Sequence, residues 1–202
     1  MLTQPHRYFI INKPYDMVSQ FIGEDKVAML GGIDYDFPTG IHAVGRLDSK
    51  SEGLLILTTN KKVTKLLFCS GVPHKRTYLV RVKNKVTPET LELLRTGVTI
   101  RIKEGAYYTT PPCEIEIIEN PDNLFPHQLE LRDYVSHTWL LMSLYEGKYH
   151  QVRKMVFAAN HRCMRLIRVS IEGLELDTLE PGGIKEIAEE DFFSKLKIDQ
   201  WN

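Results

Sequence analysis

The sequence predicts an α+β fold, in which a mixed and mostly antiparallel sheet has flanking helices, and three observations predict it. The run Leu54–Leu57 is short and wholly apolar, which is typical of a strand buried on both faces. Residues 77–82 alternate apolar and polar side chains, as a half-buried strand does. Residues 87–98 have helical spacing, with Thr87 as the N-cap candidate and Gly97 just past the end. Short links between these elements favour strands and helices that share one core.

The remaining elements follow in chain order from the same periodicities. Gly53 is expected to make a turn just before the apolar strand, and residues 119–132 are expected to form an irregular loop. The length of 202 residues suits a single domain, 1–202, with approximate lobes 1–72 and 73–202. The patterns predict further strands over 7–12, 113–119, 137–146 and 164–171, and helices over 61–70, 150–160 and 188–197.

Composition excludes several classes of protein. No apolar run approaches the ~20 residues that a membrane helix needs, and the N-terminus lacks the layout of a signal peptide. We therefore expect a cytoplasmic protein without a membrane partner. Cys69, Cys113 and Cys163 are far apart, which predicts reduced, buried thiols. The seven histidines show no zinc-ligand spacing, so no metal site is expected.

The charge distribution indicates a nucleic-acid partner although the net charge is zero. Residues 61–85 contain eight Lys or Arg and no acid, and residues 148–168 contain six and no acid. Both runs are interleaved with aromatic residues or histidine, and phosphate binding depends on the local field, not on the net charge. Two solvated surfaces that bind nothing are the alternative, but two such runs favour RNA or DNA.

Asp48 is the first candidate catalytic residue. It is the only acid between Asp36 and Glu52, and it lies in a polar loop that leads into the predicted core strand. Loops on a rigid scaffold often carry catalytic side chains. Taken alone, Asp48 is better explained as a turn cap or as a surface pair with Arg46, and only the other motifs favour a catalytic role.

Four motifs together resemble those of bacterial pseudouridine synthases of the RsuA type. The stretch "GRLDSKSEGLLILTTN" resembles G-R-L-D-x-x-[TS]-x-G-L-L-x-L-T, and "NKPYD" resembles the K-P-x-G motif that precedes it. The stretch "RTYLV" resembles the K-x-Y strand, and "EGKYHQVRKM" with "RLIRVSI" resembles the last block. The motifs occur in family order and cover most of Tyr8–Ile187. Within the family the chain is most similar to the RluE branch, which acts on large-subunit ribosomal RNA.

The resemblance implies the fold, the reaction and the site. The implied fold is the pseudouridine-synthase catalytic fold, with two lobes around a central cleft, and the implied substrate is 23S ribosomal RNA. Asp48 would be the nucleophile, Tyr78 would lie against the flipped uracil, and Arg153 would form an ion pair with Asp48. The resemblance leaves open whether the Tyr78 hydroxyl also accepts a proton. Further substrate contacts are implied for Arg46, Leu166, Lys13, Arg76, Lys148, His150, Gln151 and Lys154.

The chain departs from the family pattern at three points. RsuA-type enzymes usually begin with an S4-type RNA-binding domain, whereas here the catalytic motifs begin at Tyr8, so no S4 domain is expected. Asp16 stands where the K-P-x-G motif has glycine, and Asp tolerates a left-handed turn better than most residues. Arg76 replaces the usual lysine two residues before Tyr78 and keeps the charge.

The implied reaction rearranges bonds within one nucleotide. Nothing is oxidised and no group leaves, so neither a cofactor nor a metal is expected, and the protein is expected to act as a monomer on ribosomal RNA. Two alternatives are weaker. An inactive RNA-binding or ribosome-assembly module would not need Asp48, Tyr78 and Arg153 together. An aspartate-dependent hydrolase usually has a second carboxylate or a metal, and Glu52 alone is a weak candidate for that role.

Overall fold

The computed structural model describes residues 5–23, 26–102, 105–127 and 134–201. These residues form two compact units, one of Met1–His74 with Arg168–Asn202 and the other of Lys75–Ile167. Among the helices in the described ranges, none has the length and apolar character needed to cross a bilayer.

The described elements are thirteen strands, four α-helices and one 3-10 turn, Leu30–Gly32. The helices are α1 Lys62–Phe68, α2 Pro88–Thr96, α3 Gln151–Ala158 and α4 Glu189–Lys195. The strands are β1 Tyr8–Lys13, β2 Met17–Val18, β3 Ala28–Met29, β4 His42–Val44, β5 Glu52–Thr58, β6 Arg76–Lys83, β7 Thr99–Arg101, β8 Tyr107–Thr109, β9 Glu114–Ile118, β10 His137–Leu144, β11 Cys163–Ile171, β12 Leu174–Glu175 and β13 Ile184–Ile187.

The first unit is built on an antiparallel sheet in which β1 lies between β5 and β13. Tyr8 pairs with Thr58, and Lys13 pairs with Gly53. Every residue of β1 and β5 is buried, as the apolar run Leu54–Leu57 predicts. One sheet face packs into a cluster that includes Phe9, Leu47 and Leu55, so the residue before Asp48 is part of the core.

The C-terminal segment belongs to the first unit, which changes the predicted lobes. The second lobe was expected to run over 73–202, but residues 168–202 cluster with the first unit. The reason is that β13 pairs with β1, and the Tyr8 ring packs on Phe192 of α4 at 4.6 Å between ring centroids. The Tyr8 hydroxyl also donates to Glu189 Oε2 at 2.5 Å. Burial and this bond raise the pKa of Tyr8 to about 12.

The second unit is built on the antiparallel strands β6, β10 and β9, with α2 and α3 beside them. Its core cluster includes Val80, Leu94, Met142 and Met155, one from each of β6, α2, β10 and α3. The predicted caps of α2 are confirmed. The Thr87 side chain accepts a hydrogen bond from the Thr90 amide at 3.2 Å, and Gly97 has a φ of 108°.

The predicted helices and long strands are confirmed to within a few residues at their ends, and two details are corrected. Gly53 is not in a turn but is the second residue of β5, at a φ of 101°. Strand β6 is buried on both faces, not one, because its polar residues have partners. Thr77 hydrogen-bonds Ser143, and the Arg81 guanidinium lies 5.9 Å from the centroid of the Trp139 ring.

The cysteine and loop predictions are each partly confirmed. All three cysteines are free thiols, but Cys69 is exposed, because it follows the last residue of α1, and the other two are only half-buried. Residues 119–127 contain no helix or strand, as expected for the irregular loop, and residues 128–133 of that loop lie outside the described part of the chain.

Candidate active site

Asp48 lies in the first unit, on the loop between β4 and β5, and the flanking backbone is held on both sides. Before it, Leu47 is buried, and its main chain makes two bonds with one hydroxyl: Ser19 Oγ accepts from Leu47 N–H at 3.0 Å and donates to the Leu47 carbonyl at 2.9 Å. After it, the Asp48 carbonyl accepts from the Ser51 amide at 2.9 Å. Asp48 is therefore half-exposed on a loop whose neighbouring residues have little freedom.

The turn at Asp16 supports the same loop. Asp16 has a φ of 58°, so the residue that replaces glycine does adopt the left-handed conformation predicted for it. Its amide donates to the Ser49 carbonyl at 2.7 Å, and its carboxylate pairs with Lys50 Nζ at 2.6 Å. The K-P-x-G and G-R-L-D motifs, about thirty residues apart in sequence, are thus joined by a main-chain bond.

Lys13 is fully buried at the end of β1, with no exposed side-chain surface. Its amino group donates to the carbonyls of Pro14 and Met17 at 2.8 and 2.7 Å. Burial lowers the pKa of Lys13 to about 8, and the carboxylates of Glu52 and Asp48 partly oppose that shift. The observed partners are main-chain atoms, so the implied substrate contact of Lys13 stays a prediction. Arg46, in contrast, is exposed on the same loop as Asp48.

Arg168, at the start of the first-unit part of β11, is a second buried cation near Lys13. Its Nε donates to the Leu54 carbonyl at 2.7 Å, and its charge also lowers the pKa of Lys13. Arg168 belongs to the predicted basic run 148–168, but it is buried, as is Arg165. In the run 61–85, Arg76 and Arg81 are buried too. The basic surface is therefore smaller than the two runs suggest, because four of these arginines lie in the core.

Tyr78 lies on β6 in the second unit, paired with Met142 of β10. Its ring is half-buried and packs against the core cluster, which fixes the ring while leaving part of it accessible. Leu166, on β11, is buried in that cluster. Arg76, two residues before Tyr78, is buried. Its guanidinium lies close to Gly147, since a Cβ atom added to that glycine would be 3.5 Å from Arg76 Nη1.

A network of polar side chains, the Glu146 network, surrounds the start of α3. Glu146 accepts hydrogen bonds from the Tyr108 hydroxyl at 2.5 Å and from Gln151 Nε2 at 2.6 Å. Gln151 Oε1 in turn accepts from the Lys148 amide at 2.7 Å. The hydrogen bond to Glu146 also raises the pKa of the Tyr108 hydroxyl. Bonds to a carboxylate are stronger than neutral ones, so the network fixes the turn from Glu146 to Gln151.

Arg153 is the third residue of α3 and is half-exposed. Its Nη1 donates to Cys163 Sγ at 3.6 Å. Burial raises the pKa of the Cys163 thiol, and the positive charge of Arg153 partly opposes that rise. The neighbouring residues His150 and Lys154 are half-exposed and Lys148 is exposed. Asp48 belongs to the first unit and Arg153 to the second, so the ion pair between them stays a prediction.

Sequence reasoning missed the residues that support the site. Ser19, Tyr108 and Glu146 were not proposed as site residues. Ser19 holds the backbone beside Asp48, and Glu146, itself bound by Tyr108, holds the side chain of Gln151. Glu146 is the first residue of the motif "EGKYHQVRKM", so the sequence could have indicated it as a site residue. Ser19 and Tyr108 are ordinary residues in irregular or weakly patterned segments, and no sequence signal singles them out. Within the four described ranges, no group of three or more His, Cys, Asp or Glu is placed to hold a metal ion.

Comparison with known proteins gives a consistent result. A family profile described as RNA pseudouridylate synthase matches residues 7–158. Ribosomal large subunit pseudouridine synthase E of Vibrio vulnificus is 36% identical over 185 residues, covering 90% of this chain and 75% of that protein. Ribosomal small subunit pseudouridine synthase A of Escherichia coli K12 is 30% identical over 196 residues, covering 96% and 76%.

A solved structure shows the same relationship. A crystal structure of a pseudouridylate synthase matches with a TM-score of 0.76 and 25% identity, over 97% of this chain and 76% of that one. The chain belongs to the RNA pseudouridylate synthase family. The resemblance predicted from the four motifs is thereby confirmed, and so is the mixed α+β pseudouridine-synthase fold.

Proposed function

We propose that this protein isomerises a specific uridine of ribosomal RNA to pseudouridine, with Asp48 as the nucleophile. The observation that carries the proposal is the loop of Asp48: in a member of this family, the only acid of the G-R-L-D motif lies half-exposed on a backbone held by Ser19 and Asp16. A nucleophile needs an accessible side chain and a fixed position. The Asp48 loop supplies both.

The reaction balances within one nucleotide. The bond between ribose C1′ and uracil N1 breaks, the base turns, and a bond forms between C1′ and C5. The proton on C5 is lost and N1 gains one. The proposal assigns Asp48 the covalent step and leaves open whether its carboxylate attacks the sugar or the uracil ring. Because the reactants and products contain the same atoms, no co-reactant is required.

The second unit supplies the remaining proposed roles. Tyr78 stacks on the flipped uracil, which returns ~1–3 kcal/mol against the few kcal/mol lost on unstacking. Leu166 gives an apolar wall to the base, and Arg153 supplies the cation that pairs with the Asp48 carboxylate. The tight packing of Tyr78 and Leu166 in their core supports these roles, because a fixed ring loses little entropy on binding.

Large-subunit ribosomal RNA is the proposed substrate. This chain is 36% identical to the Vibrio large-subunit enzyme and 30% identical to the Escherichia small-subunit enzyme, and four large-subunit relatives precede the small-subunit ones in similarity. We further propose that the protein acts as a monomer in the cytoplasm, where ribosomes are assembled. An inactive RNA-binding module is the alternative, and only a test of turnover separates the two.

The test is a pseudouridine map of 16S and 23S ribosomal RNA from three strains: the parent, a strain lacking this protein, and that strain complemented. We expect one 23S position to lose its pseudouridine and to regain it on complementation. Purified protein added to ribosomal RNA from the deletion strain should restore the same position. Identical maps in all three strains would refute the activity, and a restored position in 16S would refute only the large-subunit assignment.

A further inference from the structure

We propose that the outer face of α3 is a stacking surface for an unpaired nucleotide of the RNA substrate, separate from the pocket for the target uridine. The surface, called here the α3 face, consists of Tyr149, His150, Lys154 and Phe157. The proposal rests on the proposed function, because RNA is taken from it as the partner.

Helical spacing and ring contacts place these residues beside one another. Lys154 and Phe157 are three residues apart on α3, so their side chains are neighbours on one face, and Tyr149 and His150 directly precede the helix. The Tyr149 and His150 rings are stacked, with centroids 3.9 Å apart and an angle of 19° between the planes. Lys154 Nζ lies 5.2 Å from the centroid of the Tyr149 ring. Two stacked rings, one cation and a third ring thus form a continuous strip.

The exposure of Phe157 is the strongest single observation. Its side chain is 76% exposed and that of Tyr149 is 60% exposed, whereas the opposite side of α3 buries Val152, Met155 and Val156 in the core. The helix is therefore anchored without Phe157, and the ring contributes little to folding. A large apolar ring held in solvent by a rigid helix is a feature of surfaces that bind a partner.

The charge around the α3 face favours RNA as that partner. Within the second unit, residues 148–167 contain five Lys or Arg and no acid, and of these Lys148 and Arg162 are exposed. The nearest acid before them, Glu146, is engaged by Tyr108 and Gln151. Surfaces that bind single-stranded nucleic acid combine cations for the phosphates with aromatic rings for the bases. An apolar protein segment would use the ring but not the cations.

The conformation of His150 adds an independent indication. It has a φ of 56° and a ψ of 30°, in the left-handed region that is uncommon for residues other than glycine. Such conformations persist where the surrounding structure holds them, and they concentrate at functional sites. Here the left-handed residue directly precedes α3, and its ring stacks on that of Tyr149. The strained residue is thus part of the proposed binding strip.

The test is a substitution series at Phe157, measured as the affinity for a labelled single-stranded 12-nucleotide RNA by fluorescence anisotropy. Phe157→Ala and Phe157→Leu should both weaken binding, by about 5- to 150-fold, because neither keeps an aromatic face. Phe157→Tyr should bind like the unaltered protein. Leu93→Ala, at an apolar residue of α2 that is 47% exposed and lies outside both basic runs, is the matched control and should change nothing.

A second readout identifies stacking directly. An RNA that carries 2-aminopurine should lose fluorescence on binding to the unaltered protein and to Phe157→Tyr, and less on binding to Phe157→Leu. If Phe157→Leu binds as well as the unaltered protein, the α3 face is an apolar contact, for a protein or for a second copy, and the proposal is wrong. It is equally wrong if all three substitutions have the same effect, or if none has any.

Failure of this proposal is distinguishable from failure of the proposed function. If the unaltered protein forms pseudouridine while all Phe157 variants bind RNA with the same affinity, only the proposed role of the α3 face is refuted. If the Phe157 series behaves as expected while the protein forms no pseudouridine in ribosomal RNA, the α3 face is retained and the enzymatic assignment is refuted.

Discussion

The two units of the molecule hold their candidate catalytic residues by different means. In the first unit, the loop of Asp48 is held by bonds that end on main-chain atoms, from Ser19 to Leu47 and from the Asp16 amide to Ser49. The buried Lys13 holds the turn after β1 in the same way, through the carbonyls of Pro14 and Met17. In the second unit, the start of α3, which carries Arg153, is held by the Glu146 network, where most bonds join one side chain to another. The bonds of Ser19 and Lys13 are buried, whereas those of Glu146 are partly exposed.

This difference predicts different sensitivities. Supports that are buried and bound to the main chain are costly to disturb, because a lost partner leaves a desolvated group without a hydrogen bond. Partly exposed side-chain bonds are replaced by water at lower cost. Substitutions in the first unit should therefore have the larger effects, and substitutions around α3 should give graded ones.

The largest effect is expected from Asp48→Asn. The amide keeps the shape but is not a nucleophile, so release of tritium from C5-labelled uridine in ribosomal RNA should fall by roughly 10⁴-fold or more, while RNA affinity stays nearly unchanged. Asp16→Asn is the matched control, because asparagine also tolerates the left-handed turn, and it should retain most of the activity. Substantial turnover by Asp48→Asn would overturn the assignment of the nucleophile.

The next effect concerns Lys13 and the stability of the first unit. Its pKa is about 8 in the folded protein, against 10.5 when unfolded. Between these values the unfolded chain binds more protons, so the free energy of unfolding should rise with pH, by about 3 kcal/mol in total. Below pH 8 both states are protonated and Lys13 contributes no slope. Burial of the charge is thus a penalty that is relieved as pH rises through 8 to 10.5.

Urea unfolding between pH 7 and 10.5 measures this slope in Lys13→Met and in the unaltered protein. Lys13→Met should be less stable than the unaltered protein wherever the loss of the bonds to Pro14 and Met17 outweighs the removed cost of burying a charge. At every pH, its curve of unfolding free energy should lack the rise. Lys62→Met, at an exposed lysine of α1, should keep the rise. Titration of Tyr8 contributes equally to all three and cancels in the differences. A rise of equal size in Lys13→Met would exclude Lys13 as its source.

The same contrast explains how much could be predicted from the sequence. Periodicity predicted β5, α2 and α3 because burial of an apolar strand or helix face leaves a regular trace in the residues. The motifs predicted Asp48, Tyr78 and Arg153 as site candidates because those segments resemble the family. The short strands β2, β3, β7 and β8 were not predicted, since two or three residues carry too little pattern.

Partners distant in sequence were also beyond prediction. Arg81 and Arg168 were taken for surface cations, because a sequence shows a charge but not the ring or carbonyl that compensates it in the core. The return of residues 168–202 to the first unit likewise depends on contacts of Tyr8 with α4, about 180 residues away. Such long-range pairs are a property of the fold, and local patterns do not encode them.

In the second unit, Tyr78 should give an intermediate effect that separates its ring from its hydroxyl. Tyr78→Ala loses the stacking face and should raise KM by about 5- to 150-fold. Tyr78→Phe keeps the face, so it should retain much of the activity if stacking is the main role. If the hydroxyl accepts the C5 proton, Tyr78→Phe should instead accumulate an intermediate after glycosidic cleavage. Single-turnover measurements distinguish the two, and equal losses in both variants would indicate damage to the fold.

The smallest effect is expected at the Glu146 network, where it tests the idea that α3 has a graded support. Tyr108→Phe removes one hydrogen bond to Glu146 and leaves the bonds of Gln151 in place. Because the lost bond is partly exposed, pseudouridine formation should fall only by roughly 5-fold. Tyr107→Phe is the matched control, since its side chain is exposed on the same strand, β8.

Hydrogen exchange gives the readout that separates positioning from general destabilisation. In Tyr108→Phe, exchange should accelerate at the Lys148 amide, which donates to Gln151, and at the first turn of α3, while the amides of β10 keep their protection. Uniform acceleration across the second unit would mean that Tyr108 only stabilises the fold. A loss of activity as large as that of Asp48→Asn would contradict the comparison itself, because one partly exposed hydrogen bond beside α3 would then matter as much as the nucleophile.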